Sequence, residues 1–157
     1  MSDLDKVLAN LKKKFGTASI NPADKITYAA VKRIPTGSLS LDLEMGGGLP
    51  RGKVVMIPAN ESVGKTTVAL HMVASAQKNK CKAAYIDVEG TFDKEWAKKI
   101  GVNLSDLLLS KPDSGEMALE ILESLVETNE LDLIVLDSLA ALIPKAELNK
   151  LVTHVDC

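Results

Sequence analysis

Much that would send a chain outside a reducing, watery compartment is missing from these 157 residues. There are only two cysteines, Cys81 and Cys157, in no metal-binding or redox spacing, so they read as incidental thiols of a cytoplasmic protein. The opening "MSDLDKVLANLKKKFG" is charged throughout and has no apolar core of a secretion signal. No apolar run approaches the roughly 20 residues that cross a bilayer, which excludes a membrane-spanning helix. The only arginines are Arg33 and Arg51, so the arginine-rich acceptor site and lid of a small-molecule kinase are not here. Repeats and low-complexity tracts are also lacking.

A concentrated basic surface, the usual footprint of nucleic-acid binding, is missing from most of the chain as well. Residues 1–36 hold seven Lys/Arg against three Asp/Glu, whereas the remainder holds twelve against eighteen. What is present is ordinary for one soluble domain: 46% apolar and 25% charged residues, with enough length for a core.

Leu4, Val7, Leu8, Leu11 and Phe15 recur at spacings of three and four and predict an amphipathic helix over 3–15, stopped by Gly16. Its apolar stripe either folds back on the chain's own core or docks on another molecule. A polar arm with Pro22 and Pro35 follows. Beyond "TGSLSLDLEMGGGLPRG" strands alternate with helices. Strands are expected at 54–57, 83–87, 107–110 and 133–137, the last apolar enough to be covered on both faces. Helices are expected at 65–77 and 93–100. A third follows Asp113 and Glu116, which have capping-box spacing, and buries Met117, Ile121, Leu122, Leu125 and Val126. This rhythm predicts an α/β fold, a mostly parallel sheet flanked by helices.

In such a sheet ligands bind beyond the carboxyl ends of the strands. Four places fall there: the loop 59–66 of "ANESVGKTT", Glu89, Ser110-Lys111, and Asp137-Ser138. The loop matches the phosphate-binding pattern G-x-x-x-x-G-K-[ST] except for Ala59 at the opening glycine. Main-chain amides of 60–66, supplied by Asn60, Glu61, Ser62, Val63, Gly64, Lys65 and Thr66, can converge on phosphate oxygens at the positive end of the next helix. Lys65 adds a mobile charge. The hydroxyl of Thr66 and the carboxylate of Asp137 offer the hard oxygens that Mg²⁺ prefers. Asp137 alone also fits a helix cap. If the opening position needs positive φ, Ala59 costs about 1–2 kcal/mol, roughly ten-fold in affinity, and binding survives.

In order along the chain, "KKKFGTASI", "IPTGSLSLDLEMGGGLPRGKVVMI", "ANESVGKTT", "AAYIDVEGTFDKEWAKKIGV", "LLLSKPDSGEMALEI" and "LDLIVLDSLAALIPKAEL" resemble the bacterial RecA recombinase family over residues 5–148. The resemblance implies a RecA-like P-loop NTPase core with an N-terminal helix and arm. Residues 1–36 would form the subunit-docking element and 37–157 a partial ATP-binding core. It implies ATP and Mg²⁺ as cofactors, with Lys65 and Glu89 catalytic, Glu89 polarising the attacking water. The cofactor set would run from Ala59 to Thr67 and include Asp93, contacting adenine, and Trp96, stacked on it. Thr66 and Asp137 would hold the metal. Read without the family, Glu89 is a solvated loop acid and Trp96 a core or surface aromatic.

The resemblance also implies self-association through residues 3–16, single-stranded DNA as the full-length partner, and no membrane. Ala59, Asn60 and Val63 replace the family's glycine, proline and serine. The family continues past this point with further strands, two DNA-binding loops, a glutamine sensor and a C-terminal domain, so the core is expected to be truncated here. Two readings follow. One is the ATP-binding part of a DNA-dependent ATPase that forms recombination filaments. The other is a shortened relative that binds nucleotide and docks on or caps filaments without catalysis. For these residues alone, nucleotide binding with little turnover and weak DNA affinity is expected.

Overall fold

The computed structural model describes residues 2–17, 19–25, 30–60 and 62–144. Two units divide the chain, Met1–Val31 and Lys32–Cys157. Glu61 of the loop and Cys157 lie outside the described residues.

In the first unit, helix α1 (Asp3–Phe15) is set by its own ends. Ser2 accepts a hydrogen bond from the Asp5 amide at 3.2 Å, and Asp5 accepts one from the Ser2 amide at 2.8 Å, a reciprocal capping box. Lys12, Lys13 and Lys14 oppose the negative end of the helix dipole. Gly16, at positive φ, ends the helix. No residue of α1 is buried, and Leu4, Val7 and Phe15 stand open.

The second unit begins with β1 (Arg33–Ile34) antiparallel to β2 (Leu49–Pro50), with α2 (Leu39–Glu44) between them in sequence. Gly48, at positive φ, passes so close to the Ile34 carbonyl that any side chain there would collide with it. The main sheet has three parallel strands, ordered β4 (Leu107–Ser110), β3 (Ala83–Asp87), β5 (Leu133–Asp137). Helix α3 (Lys65–Lys78) presses Leu70, Val73 and Ala74 onto Ala83 and Tyr85. Ala97 of α4 (Lys94–Ile100), Val102 and Leu107 complete that core.

Four sequence expectations are corrected here. Residues 54–57 form no strand: Val54 is 99% exposed and Met56 69%. An apolar run becomes a strand only where a neighbour takes its hydrogen bonds, and none of the described strands pairs with it. Nor is β5 covered on both faces, since all five of its residues are only half-buried. Helix α5 (Gly115–Glu127) exists, but its cap is Ser114, which accepts from the Met117 amide, rather than Asp113. Its buried residues are Gly115 and Ala118, with Met117 and Val126 exposed.

Candidate functional site

The carboxyl ends of β3 and β5 meet the start of α3, and Thr66, Tyr85 and Asp137 converge there. Gly64 caps α3 with φ 94°, a left-handed conformation natural to glycine. Ser62 shares that region at φ 60°, whereas Ala59 is not among the described residues with positive φ. The strain expected at the alanine therefore falls elsewhere in the loop. Asn60 and Val63 are exposed, and the Lys65 ammonium turns back to donate to the carbonyls of Ala59 at 3.2 Å and Asn60 at 2.8 Å.

At the second residue of α3, the Thr66 hydroxyl donates to Asp137 Oδ2 at 2.7 Å, joining positions far apart in sequence. The same oxygen receives the Tyr85 hydroxyl at 2.6 Å. This follows from strand register. Tyr85 pairs with Val135, so Asp137 is its diagonal neighbour two residues on, within reach of a long aromatic side chain. Burial pushes the Tyr85 hydroxyl far above its ordinary pKa, and the bond to Asp137 and the charges of Asp137, Asp87 and Glu89 push the same way. It is therefore a permanent donor. The ring packs edge-on against Phe92, with centroids 5.0 Å apart.

Next to this cluster, the Ser138 hydroxyl donates to Glu89 Oε1 at 2.5 Å, drawing the loop after β3 toward the end of β5. Asp87, 3% exposed, accepts from the amides of Thr91 (3.1 Å) and Phe92 (3.0 Å), with the Lys111 ammonium 3.7 Å away. It shapes the turn that carries Glu89. Asp93 caps α4, its Oδ1 accepting from the amides of Glu95 and Trp96. Trp96 is 44% exposed, and its indole N–H donates to Thr67 Oγ1 at 3.4 Å.

Thus Thr66 and Asp137 are in contact, Lys65 closes on its own loop, Trp96 reaches Thr67, and Glu89 is linked to Ser138 rather than directly to that pair. Sequence reasoning passed over Tyr85 and Asp87. Both lie in "AAYID" on one face of the strand, two residues apart. A polar-tipped aromatic before a strand-end carboxylate was the available signal. Among the described residues no group of three or more His, Cys, Asp or Glu could hold a metal.

An α/β protein with a polar site where parallel strands end is the class that this architecture defines. Comparison with known proteins narrows it. The family model for the RecA N-terminal domain matches residues 2–155. Protein RecA of Oceanobacillus iheyensis is 52% identical over 146 residues, covering 92% of this chain and 42% of that protein. Protein RecA of Gloeobacter violaceus is 48% identical over 145 residues, covering 92% and 39%. Protein RecA of Arthrobacter is 51% identical over 146, covering 92% and 42%. The chain belongs to the RecA family, and it spans about two fifths of the length of these relatives.

Proposed function

We propose that residues 37–157 are the ATP-binding part of a RecA-type, DNA-dependent ATPase that acts in homologous recombination and DNA repair through filaments on single-stranded DNA. The observation that carries the reading is the 2.7 Å contact between Thr66 and Asp137, at the start of α3 and the end of β5. A hydroxyl and a carboxylate so placed fit Mg²⁺, which takes one or two protein oxygens and fills its other positions with water and phosphate.

Each residue then has a task. The amides of 60–66 and the positive end of α3 hold the triphosphate. The Lys65 ammonium moves from the Ala59 and Asn60 carbonyls onto phosphate oxygens, exchanging neutral acceptors for charged ones. Thr66 gives its only proton to Asp137, which turns the lone pairs of its oxygen toward a cation. Glu89, fixed through Ser138, orients the attacking water. The open face of Trp96 stacks on the base while Thr67 holds the indole edge, and the second oxygen of Asp93 is left for the adenine amino group. Bound Mg²⁺ supplies neutralisation of charge on the phosphate oxygens.

Residues 1–36 serve as the docking element, through 3–16. A helix with a firm cap, an apolar stripe and no buried residue is suited to a neighbouring subunit of the filament. None of the described helices is long and apolar enough to cross a membrane.

Titration with a fluorescent ATP analogue tests the nucleotide site. Lys65→Ala is expected to lower affinity about ten- to hundred-fold, the scale of a charge-assisted hydrogen bond. An unchanged titration contradicts the site, as does a wild-type chain that binds nothing.

A further inference from the structure

The ring of Tyr85 and its hydroxyl do separate things. The ring fills the core between α3 and the sheet and meets Phe92, work that a phenylalanine of the same shape would do equally well. The hydroxyl adds nothing to that packing, and a buried hydroxyl is costly without a partner. Tyr85 is 1% exposed, and the partner it has is Asp137 Oδ2, at 2.6 Å.

The consequence lies with Asp137. Its Oδ2 receives two donors, Tyr85 from the sheet and Thr66 from α3. Two donors from two rigid elements fix a carboxylate in one orientation. They also engage the lone pairs of Oδ2, which leaves Oδ1 as the oxygen for a metal or its water. Thr66 spends its proton on the same atom, so a hydroxyl oxygen and a carboxylate oxygen are both held ready for a hard cation before one arrives. With Thr66 as the only donor, Asp137 could turn with α3. The Tyr85 bond refers it to β3, the most buried strand of the sheet.

We propose that Tyr85 is a positioning residue: its hydroxyl, donating to Asp137 Oδ2, orients that carboxylate and so sets the divalent-cation affinity of the Thr66–Asp137 pair. This rests on the nucleotide–Mg²⁺ reading above. Groups that orient a metal ligand without touching the metal commonly change metal affinity by an order of magnitude.

The test compares the 157-residue chain with Tyr85→Phe. A fluorescent ATP analogue is titrated first with the metal chelated and then at rising Mg²⁺, and Mn²⁺ uptake is read in parallel by electron paramagnetic resonance. Metal-free nucleotide affinity is expected to stay within about two-fold. The Mg²⁺ and Mn²⁺ concentrations for half-saturation are expected to rise about ten-fold. In the Asp137→Asn background the same substitution should then add little, because its effect runs through the carboxylate.

Unchanged metal curves overturn the role of Tyr85 and leave the nucleotide site standing. A Tyr85→Phe chain that loses its fold by circular dichroism assigns the hydroxyl to stability and overturns the role too. A wild-type chain that binds no nucleotide removes the functional reading, and this inference with it.

Discussion

Strands β3 and β5 lie side by side, equal in length and similarly apolar, yet every residue of β3 is buried and none of β5 is. Composition does not separate "AAYID" from "LIVLD". Position does. Strand β3 has β4 on one edge and β5 on the other, while α3 and the residues around α4 cover one of its faces. Among the described residues β5 is paired along one edge alone. Residues 54–57, equally apolar, have no partner among the described strands and are exposed. Across these three segments burial falls as the number of described strand partners falls from two to one to none.

The candidate site straddles that gradient. Asp137 and Ser138, at the end of β5, are tied to the closed side by Tyr85 and Glu89, while the carbonyls of Ala59 and Asn60 that hold Lys65 follow the open segment. The metal end of the site is therefore built on firm elements, and the mouth of the loop is not.

The sharpest way to break this comparison is a graded truncation series followed by urea unfolding. Ile86→Ala in β3, where the side chain is fully enclosed, should cost about 2–5 kcal/mol. Leu136→Ala in β5 should cost roughly half as much, because half-buried atoms lose less contact. Val54→Ala should change stability by less than about 0.5 kcal/mol. Equal costs at the three positions would show that edge pairing is not what separates them.

A smaller effect is expected at the mouth of the loop. Ala59 does not share the positive φ of Ser62 and Gly64, so a glycine would relieve no strain there. Ala59→Gly should alter affinity for a fluorescent ATP analogue by less than about three-fold. A ten-fold gain would move the strain back to the alanine and make the open segment more exacting than its exposure indicates.

These contrasts also explain how much the sequence disclosed. Helix α1 was legible because stripe and stop signal agreed. The strands of the sheet and the meeting of Thr66 with Asp137 followed from strand-end logic applied to a Gly-Lys-Thr loop. The failures share one cause: a run of residues records its own preference and not what lies beside it. The segment 54–57 has the composition of a strand without a partner. Asp113 and Ser114 are both good caps one residue apart, and only the backbone path picks Ser114. Tyr85 reads as one more core residue until strand register sets it diagonally from Asp137. Whether Ala59 was strained depended on a backbone angle that spacing does not contain.

The smallest effect is expected where β3 and β5 begin. Backbone holds them there, the amides of Asp132 and Leu133 both donating to the Lys82 carbonyl, and the Asp132 side chain adds an acceptor for the Lys82 amide at 2.8 Å. Lys82 also bonds Glu130 at 2.9 Å, a pair lying in solvent. That hydrogen bond, and then the lysine charge, hold the Glu130 carboxyl below the usual carboxylate range. A depressed carboxylate contributes stability that is present above its unfolded pKa and lost as pH falls through the lower folded value. Any advantage of wild type over Glu130→Gln should therefore exist at neutral pH and vanish under acid. An exposed pair is screened and costs side-chain entropy, so even at neutral pH the two melting curves should superimpose. A clear separation at pH 7 that closes in acid would mean that this side-chain latch, rather than the backbone ladder, keeps β5 on β3.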